Sequence, residues 1–113
     1  MPFIELKASV SISKEKEIEL KSAFGEAITI IPGKSEQWLM LNFCDEQRMW
    51  FKGSEKPCAM LEIKIYGSSS AKNYDNLTSK LTEIISDKLG ISSDRIYVKY
   101  DEIEYWGYAG SNF

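Results

Sequence analysis

The chain opens Met1-Pro2. Methionine before a small residue is normally trimmed after translation, and trimming here would leave Pro2 as a free secondary amine at the head of a strand. An α-amino group ordinarily titrates at roughly 7.7 to 8.0. Proline's amine is intrinsically more basic, and apolar burial or a neighbouring cation pushes an amine downward. Such a group would serve as a general base near neutrality. Histidine, the commonest holder of that role, is absent from the 113 residues. Without it no Ser-His-Asp or Cys-His system can be built, and Cys44 and Cys58 are too few for a zinc shell. The plain alternative for Pro2 is a strand start, where its missing N–H costs nothing.

Lys34 is the second candidate. It follows Pro32-Gly33 at the end of an apolar-periodic segment. One reading is a solvated lysine that complements a helix C-terminus. The other is a cation for a substrate carboxylate or for charge developing on an enolised carbonyl. Cys44 and Cys58 lack close CxxC spacing and read as free thiols of a reducing compartment.

The elements that would position these groups come in two similar halves. An offset of 57 lays Gly33 on Gly90, Ser35 on Ser92, Leu39 on Ile96, Leu41 on Val98 and Phe43 on Tyr100. In the first half, Phe3–Ala8 alternates as a strand. A helix follows, capped by Ser13 and carrying Leu20, Ala23, Phe24, Ala27, Ile28 and Ile31 on one face, until Pro32-Gly33 stops it. Gln37–Cys44 alternates as a second strand. The second half repeats the order: a strand through Ala59, Leu61, Ile63 and Ile65, then a helix capped by Ser70 with Tyr74, Leu77, Leu81, Ile84 and Ile85 inward. Gly90 ends that helix, and Arg95–Tyr100 closes the half. A short strand at Arg48–Phe51 and another in the tail complete the expectation.

A duplicated β-α-β unit over a single domain, residues 1–113, predicts an α+β fold: a four-stranded mixed sheet with two helices on one face. The other face would expose Phe3, Trp38, Met40, Met60 and Tyr97, too apolar to leave wet, so closed homo-oligomerisation is expected. Composition fits: 43% hydrophobic and 27% charged residues support one core, and a net charge of −3 argues against a nucleic-acid partner. The first ten residues have neither a basic n-region nor a long apolar run, so the expected chain is soluble and cytoplasmic, without a secretory leader or a membrane partner.

Five segments together, MPFIELKASV, PGKSEQWLML, PCAMLEIKIYG, SSDRIYVKYDEI and WGYAGSNF, resemble the macrophage migration inhibitory factor family of the tautomerase superfamily over essentially the whole chain. The resemblance implies a homotrimer and cofactor-free keto–enol tautomerisation of phenylpyruvate-type and dopachrome-type substrates, with the N-terminal proline as base. Its positions fall on Pro2, Lys34, Tyr66, Tyr97 and Lys99, with Trp106, Tyr108 and Phe113 at the pocket mouth.

The sequence also departs from that pattern. Tyr66 replaces a usual Ile that acts mainly through its backbone, Lys99 replaces Asn, Tyr108 replaces Trp, and Trp106 stands where a smaller apolar residue is common. Leu61 replaces the second cysteine of the family's CxxC, which removes the resolving sulfur that thiol–disulfide chemistry needs. The competing function is a cytokine-like, receptor-binding module with a vestigial pocket, and relatives of this kind leave cells without a leader.

Overall fold

The computed structural model describes residues 1–113. The chain forms β1 (Pro2–Ala8), α1 (Lys14–Ala27), β2 (Met40–Cys44), β3 (Ala59–Tyr66), α2 (Ala71–Leu89), β4 (Ile96–Ile103) and a terminal hairpin, β5 (Gly107–Tyr108) with β6 (Ser111–Asn112). Four strands make one sheet in the order β2-β1-β3-β4. β1 and β3 pair antiparallel at its centre, and each has its own crossover partner, β2 or β4, parallel on its outer side. The 57-residue offset holds for element starts: Pro2 and Ala59, Lys14 and Ala71, and Glu36 and Ser93 are each separated by it.

Strand alternation sorts the sheet into two faces. Ile4, Leu6 and Ala8 of β1 and Leu61, Ile63 and Ile65 of β3 point to the helices and are buried. They meet Leu20, Phe24 and Ile28 of the first helical segment and Leu77, Leu81 and Ile85 of α2 in one apolar core. Both helices start on serine caps: Ser13 Oγ accepts from the Lys16 N–H and Ser70 Oγ from the Asn73 N–H, each at 3.1 Å. α2 stops where Gly90 takes a φ of 69°, a left-handed conformation that glycine adopts without a Cβ clash.

Some boundaries differ from expectation. The first helix was expected to carry its apolar face to Ile31, but α1 ends at Ala27, tightens into a 3-10 turn at Ile28–Ile30 and is extended at Ile31. Proline disfavours helical backbone in the residue before it, and Pro32 acts here on Ile31. The strand expected over Gln37–Cys44 begins only at Met40, because Glu36–Trp38 is a 3-10 turn closed by Leu39 N–H to Glu36 C=O at 3.1 Å. That turn takes Trp38 off the open sheet face. Arg95 likewise ends a 3-10 turn, Ser93–Arg95, and β4 runs on past Tyr100 to Ile103. The expected strand at Arg48–Phe51 reduces to a tight turn in which Phe51 and Ser54 exchange two backbone bonds of 3.0 Å.

The open sheet face is less apolar than expected. Between Met40, Phe3, Met60 and Tyr97 lies a band of paired charge: Lys7 Nζ is 2.9 Å from Glu62 and 3.4 Å from Glu5, and Lys99 Nζ is 3.5 Å from Glu62 and 3.4 Å from Asp101. The Lys7 side chain holds the Glu62 carboxyl below its ordinary range. On the helix side of the sheet, the Tyr74 phenol donates to Glu102 at 2.6 Å, and Tyr100 and Thr78 share a bond of 2.8 Å. These contacts fasten the start of α2 to the far end of β4.

Leu81 is fully buried. Leu81→Ala should cost about 3 kcal/mol through lost transfer energy and a residual cavity. Ser70→Ala should cost about 1 kcal/mol through the lost cap. Urea unfolding followed by circular dichroism would read both.

Candidate active site

The geometry starts from the backbone of Tyr66, the last residue of β3. Its N–H donates to the Met1 carbonyl at 3.0 Å, and its carbonyl accepts from Lys34 Nζ at 2.8 Å. One peptide neighbourhood therefore holds the chain's first residue and a lysine cation side by side. Register explains the first contact, since Pro2 sits opposite Ile65 and places Met1 beside the end of β3. The turn after α1 explains the second: Gly33 adopts a φ of 83° and the Lys34 N–H returns to the Ile31 carbonyl at 3.1 Å, which aims the lysine at the sheet end.

Around this pair lies a cleft of about 390 Å³ lined by Met1, Gly33, Trp38, Tyr66, Tyr108 and Phe113. The rings brace one another. Trp38 meets Tyr108 edge-on at 5.2 Å, Phe113 lies 5.7 Å from Tyr66, and Tyr108 and Phe113 are stacked at 6.4 Å. The terminal hairpin delivers two of these rings through a two-residue turn, Ala109-Gly110, with φ of 51° and 92°. Positive φ at both central positions is the turn that matches strand twist, and alanine carries it here at some steric cost.

Electrostatics suit this cleft to proton transfer. Burial, followed by the charge and hydrogen bonding of Lys34, pushes the Met1 amine from its ordinary 8.0 down to about 6. An amine in this position is largely uncharged at neutral pH and able to accept a proton. The flat aromatic walls fit a planar organic group, and the lysine fits an anionic end. A cleft of about 440 Å³ between the helices lacks this combination. Its lysines are already committed, Lys80 to Glu83 at 3.8 Å and Lys88 to Glu19 at 3.1 Å.

Of the residues singled out by sequence, the structure brings Lys34, Tyr66, Tyr108 and Phe113 to one place, with Pro2 buried directly behind Met1. Trp106 enters through its backbone, its carbonyl accepting from the Phe113 N–H at 3.0 Å. Tyr97 and Lys99 lie elsewhere in the chain. Tyr97 pairs with Met60 at the opposite end of β3, whereas Ile65, the neighbour of Pro2, pairs with Glu102. Five residues of strand separate the two levels, about 17 Å. Lys99 is held between carboxylates, which raise its pKa, Asp101 first and then Glu62. The aromatic wall of the cleft not anticipated is Trp38. The polar run Ser35-Glu36-Gln37 after Gly33 was a loop signal that the apolar alternation downstream concealed.

A family model described as macrophage migration inhibitory factor (MIF) matches residues 1–113. The crystal structure of Leishmania major MIF2 is similar at 31% identity and a TM-score of 0.94, covering 100% of this chain and 97% of that one. Macrophage migration inhibitory factor of Rattus norvegicus is 31% identical over 72% of each chain. D-dopachrome decarboxylase of Gallus gallus is 26% identical over 94% of this chain and 90% of its own.

Lys34→Met should raise the pKa of the Met1 amine in the untrimmed chain part of the way from about 6 toward 8.0, burial being the larger cause. Reductive ¹³C-methylation followed by NMR titration would measure it.

Proposed function

The chain belongs to the macrophage migration inhibitory factor family, and on that premise we propose that it is a keto–enol tautomerase whose base is the Pro2 amine, freed by removal of Met1. Family membership with likeness to a D-dopachrome decarboxylase supports a tautomerase or cytokine-like role at the coarser level. The observation that favours the enzyme is the setting of the chain start: burial and Lys34 push the Met1 amine down to about 6, and the same two causes would act on the Pro2 amine once Met1 is removed, toward the range a base needs.

In the proposed reaction, Pro2 nitrogen takes the proton on the carbon next to a carbonyl. The electron pair left behind becomes the enolate, whose negative oxygen is stabilised by the Lys34 ammonium, and the proton returns to that oxygen to give the enol. The reverse sequence gives the keto form, and no cofactor is consumed. Trp38, Tyr108 and Phe113 form walls suited to the flat ring of a phenylpyruvate-type or dopachrome-type substrate. Tyr66 shapes the floor with its ring while its backbone orients Lys34.

The same reading includes a homotrimer. A site that draws on both Pro2 and Tyr97 must take them from different copies, because about 17 Å of strand separates their levels within one. The exposed Met40 and Tyr97 of the open face are apolar surface that association would cover. Lys99 accompanies Tyr97 in this arrangement as an ion-paired neighbour.

Pro2→Gly should lower kcat/KM for phenylpyruvate at least about a hundredfold, the usual worth of a positioned base, while leaving the circular dichroism spectrum intact. One added residue before Pro2 should act the same way, since it turns the amine into a non-basic amide. Unaltered turnover in either would remove Pro2 from the mechanism. Light scattering at micromolar concentration should report three subunits, and a fully active monomer would refute the shared site.

A further inference from the structure

Arg95 is the only charged residue among the buried ones, and it has no carboxylate partner. Its guanidinium instead donates to four backbone carbonyls of one loop: Nε to Pro57 at 2.9 Å, Nη1 to Phe51 at 3.0 Å, and Nη2 to Ser54 at 3.1 Å and Lys56 at 2.9 Å. The same group lies 5.4 Å from the centre of the Phe51 ring. That ring also packs at 4.6 Å on Tyr97 of β4, two residues beyond Arg95 in the chain. The segment from Asp45 to Cys58 has no named strand or helix of its own, so these bonds do much of the work of shaping it.

Tyr97 is otherwise weakly supported. Its side chain stands on the open face of an edge strand and is 60% exposed in the single chain. Phe51 is the ring that meets it, and Phe51 sits in a turn whose carbonyls Arg95 holds. Arginine is suited to this task because a planar fork with five N–H donors can satisfy several carbonyls at once, where a lysine offers a compact point charge.

We propose that Arg95 is a positioning residue for the active site: through the loop carbonyls it fixes Phe51, and through Phe51 it fixes the ring of Tyr97 that a neighbouring copy's pocket uses. The role rests on the tautomerase reading above in its catalytic consequence, and on this chain's own contacts in its structural one. Tyr97 touches substrate in this scheme, whereas Arg95 touches neither substrate nor base.

The test uses the full-length trimmed protein, assayed with phenylpyruvate, in wild type, Arg95→Lys, Phe51→Leu, Tyr97→Ala and the double variant Arg95→Lys/Tyr97→Ala. Arg95→Lys and Phe51→Leu should each raise KM about fivefold, the size of one aromatic contact, with kcat held within about twofold, a uniform-binding signature. In the Tyr97→Ala background, Arg95→Lys should add nothing further. A second readout is independent of turnover: in protein labelled with 3-fluorotyrosine, the ¹⁹F resonance assigned to Tyr97 by its loss in Tyr97→Phe should shift in both Arg95→Lys and Phe51→Leu. Phe51→Leu leaves the arginine bonds in place and so covers the case in which Arg95→Lys does not fold.

An unmoved Tyr97 resonance in the folded variants would overturn the positioning role. So would additive KM effects of Arg95→Lys and Tyr97→Ala. Full activity of Pro2→Gly would instead overturn the tautomerase reading, and the fluorine signal would still decide whether Arg95 holds Tyr97.

Discussion

The antiparallel register of β1 against β3 carries more of this structure than any other contact. It joins the two β-α-β halves at the centre of the sheet, with Pro2 opposite Ile65 and Ala8 opposite Ala59. A one-residue slip would turn every side chain of one strand to the opposite face. Ile4 and Leu6 would then leave the core and Glu5 and Lys7 would enter it without partners. The same register lets the Tyr66 N–H reach the Met1 carbonyl, so the fold's centre and the candidate site's backbone are set by one pairing.

That pairing also relates the two ends of the sheet. At one end the Tyr66 N–H meets the Met1 carbonyl, and at the other the Ser9 N–H meets the Cys58 carbonyl at 3.1 Å, each residue 57 positions from its counterpart. The surroundings differ. The Met1 end stays open as an aromatic cleft, while the Cys58 end is covered by Met49, Trp50 and Phe51 and retains only about 120 Å³. Trp38 and Arg95 occupy matching places, each the last residue of a 3-10 turn, one as a pocket wall and the other as the clamp on the covering loop. A duplicated scaffold thus supports one open end and one closed one.

Much of this was legible in the residues because local and tertiary preferences agree. The second helix announces itself through Ser70, a consistent apolar face and Gly90, and all three act as read. Trp38 was misplaced because Trp38, Met40 and Leu39, Leu41 alternate as a strand would, and period alone cannot reveal that a 3-10 turn interrupts the run. The charge pairing of Lys99 was hidden for another reason: Glu62 is 37 residues away in sequence and is brought to Lys99 only by the β3–β4 register. Arg95 looked like the first residue of a strand, and nothing local foretold four carbonyls arriving from a distant loop.

The attachment of Lys34 to a main-chain oxygen rather than to another side chain has an evolutionary consequence. Every residue type at position 66 presents that carbonyl, so the sequence there can drift without unseating the cation. The tyrosine ring at this position faces Phe113 and the cleft, where a change of bulk alters which molecules fit. Selectivity and charge placement thereby become separately heritable, and a lineage carrying this scaffold can explore new ligands by single substitutions at one position while its electrostatic anchor stays in place.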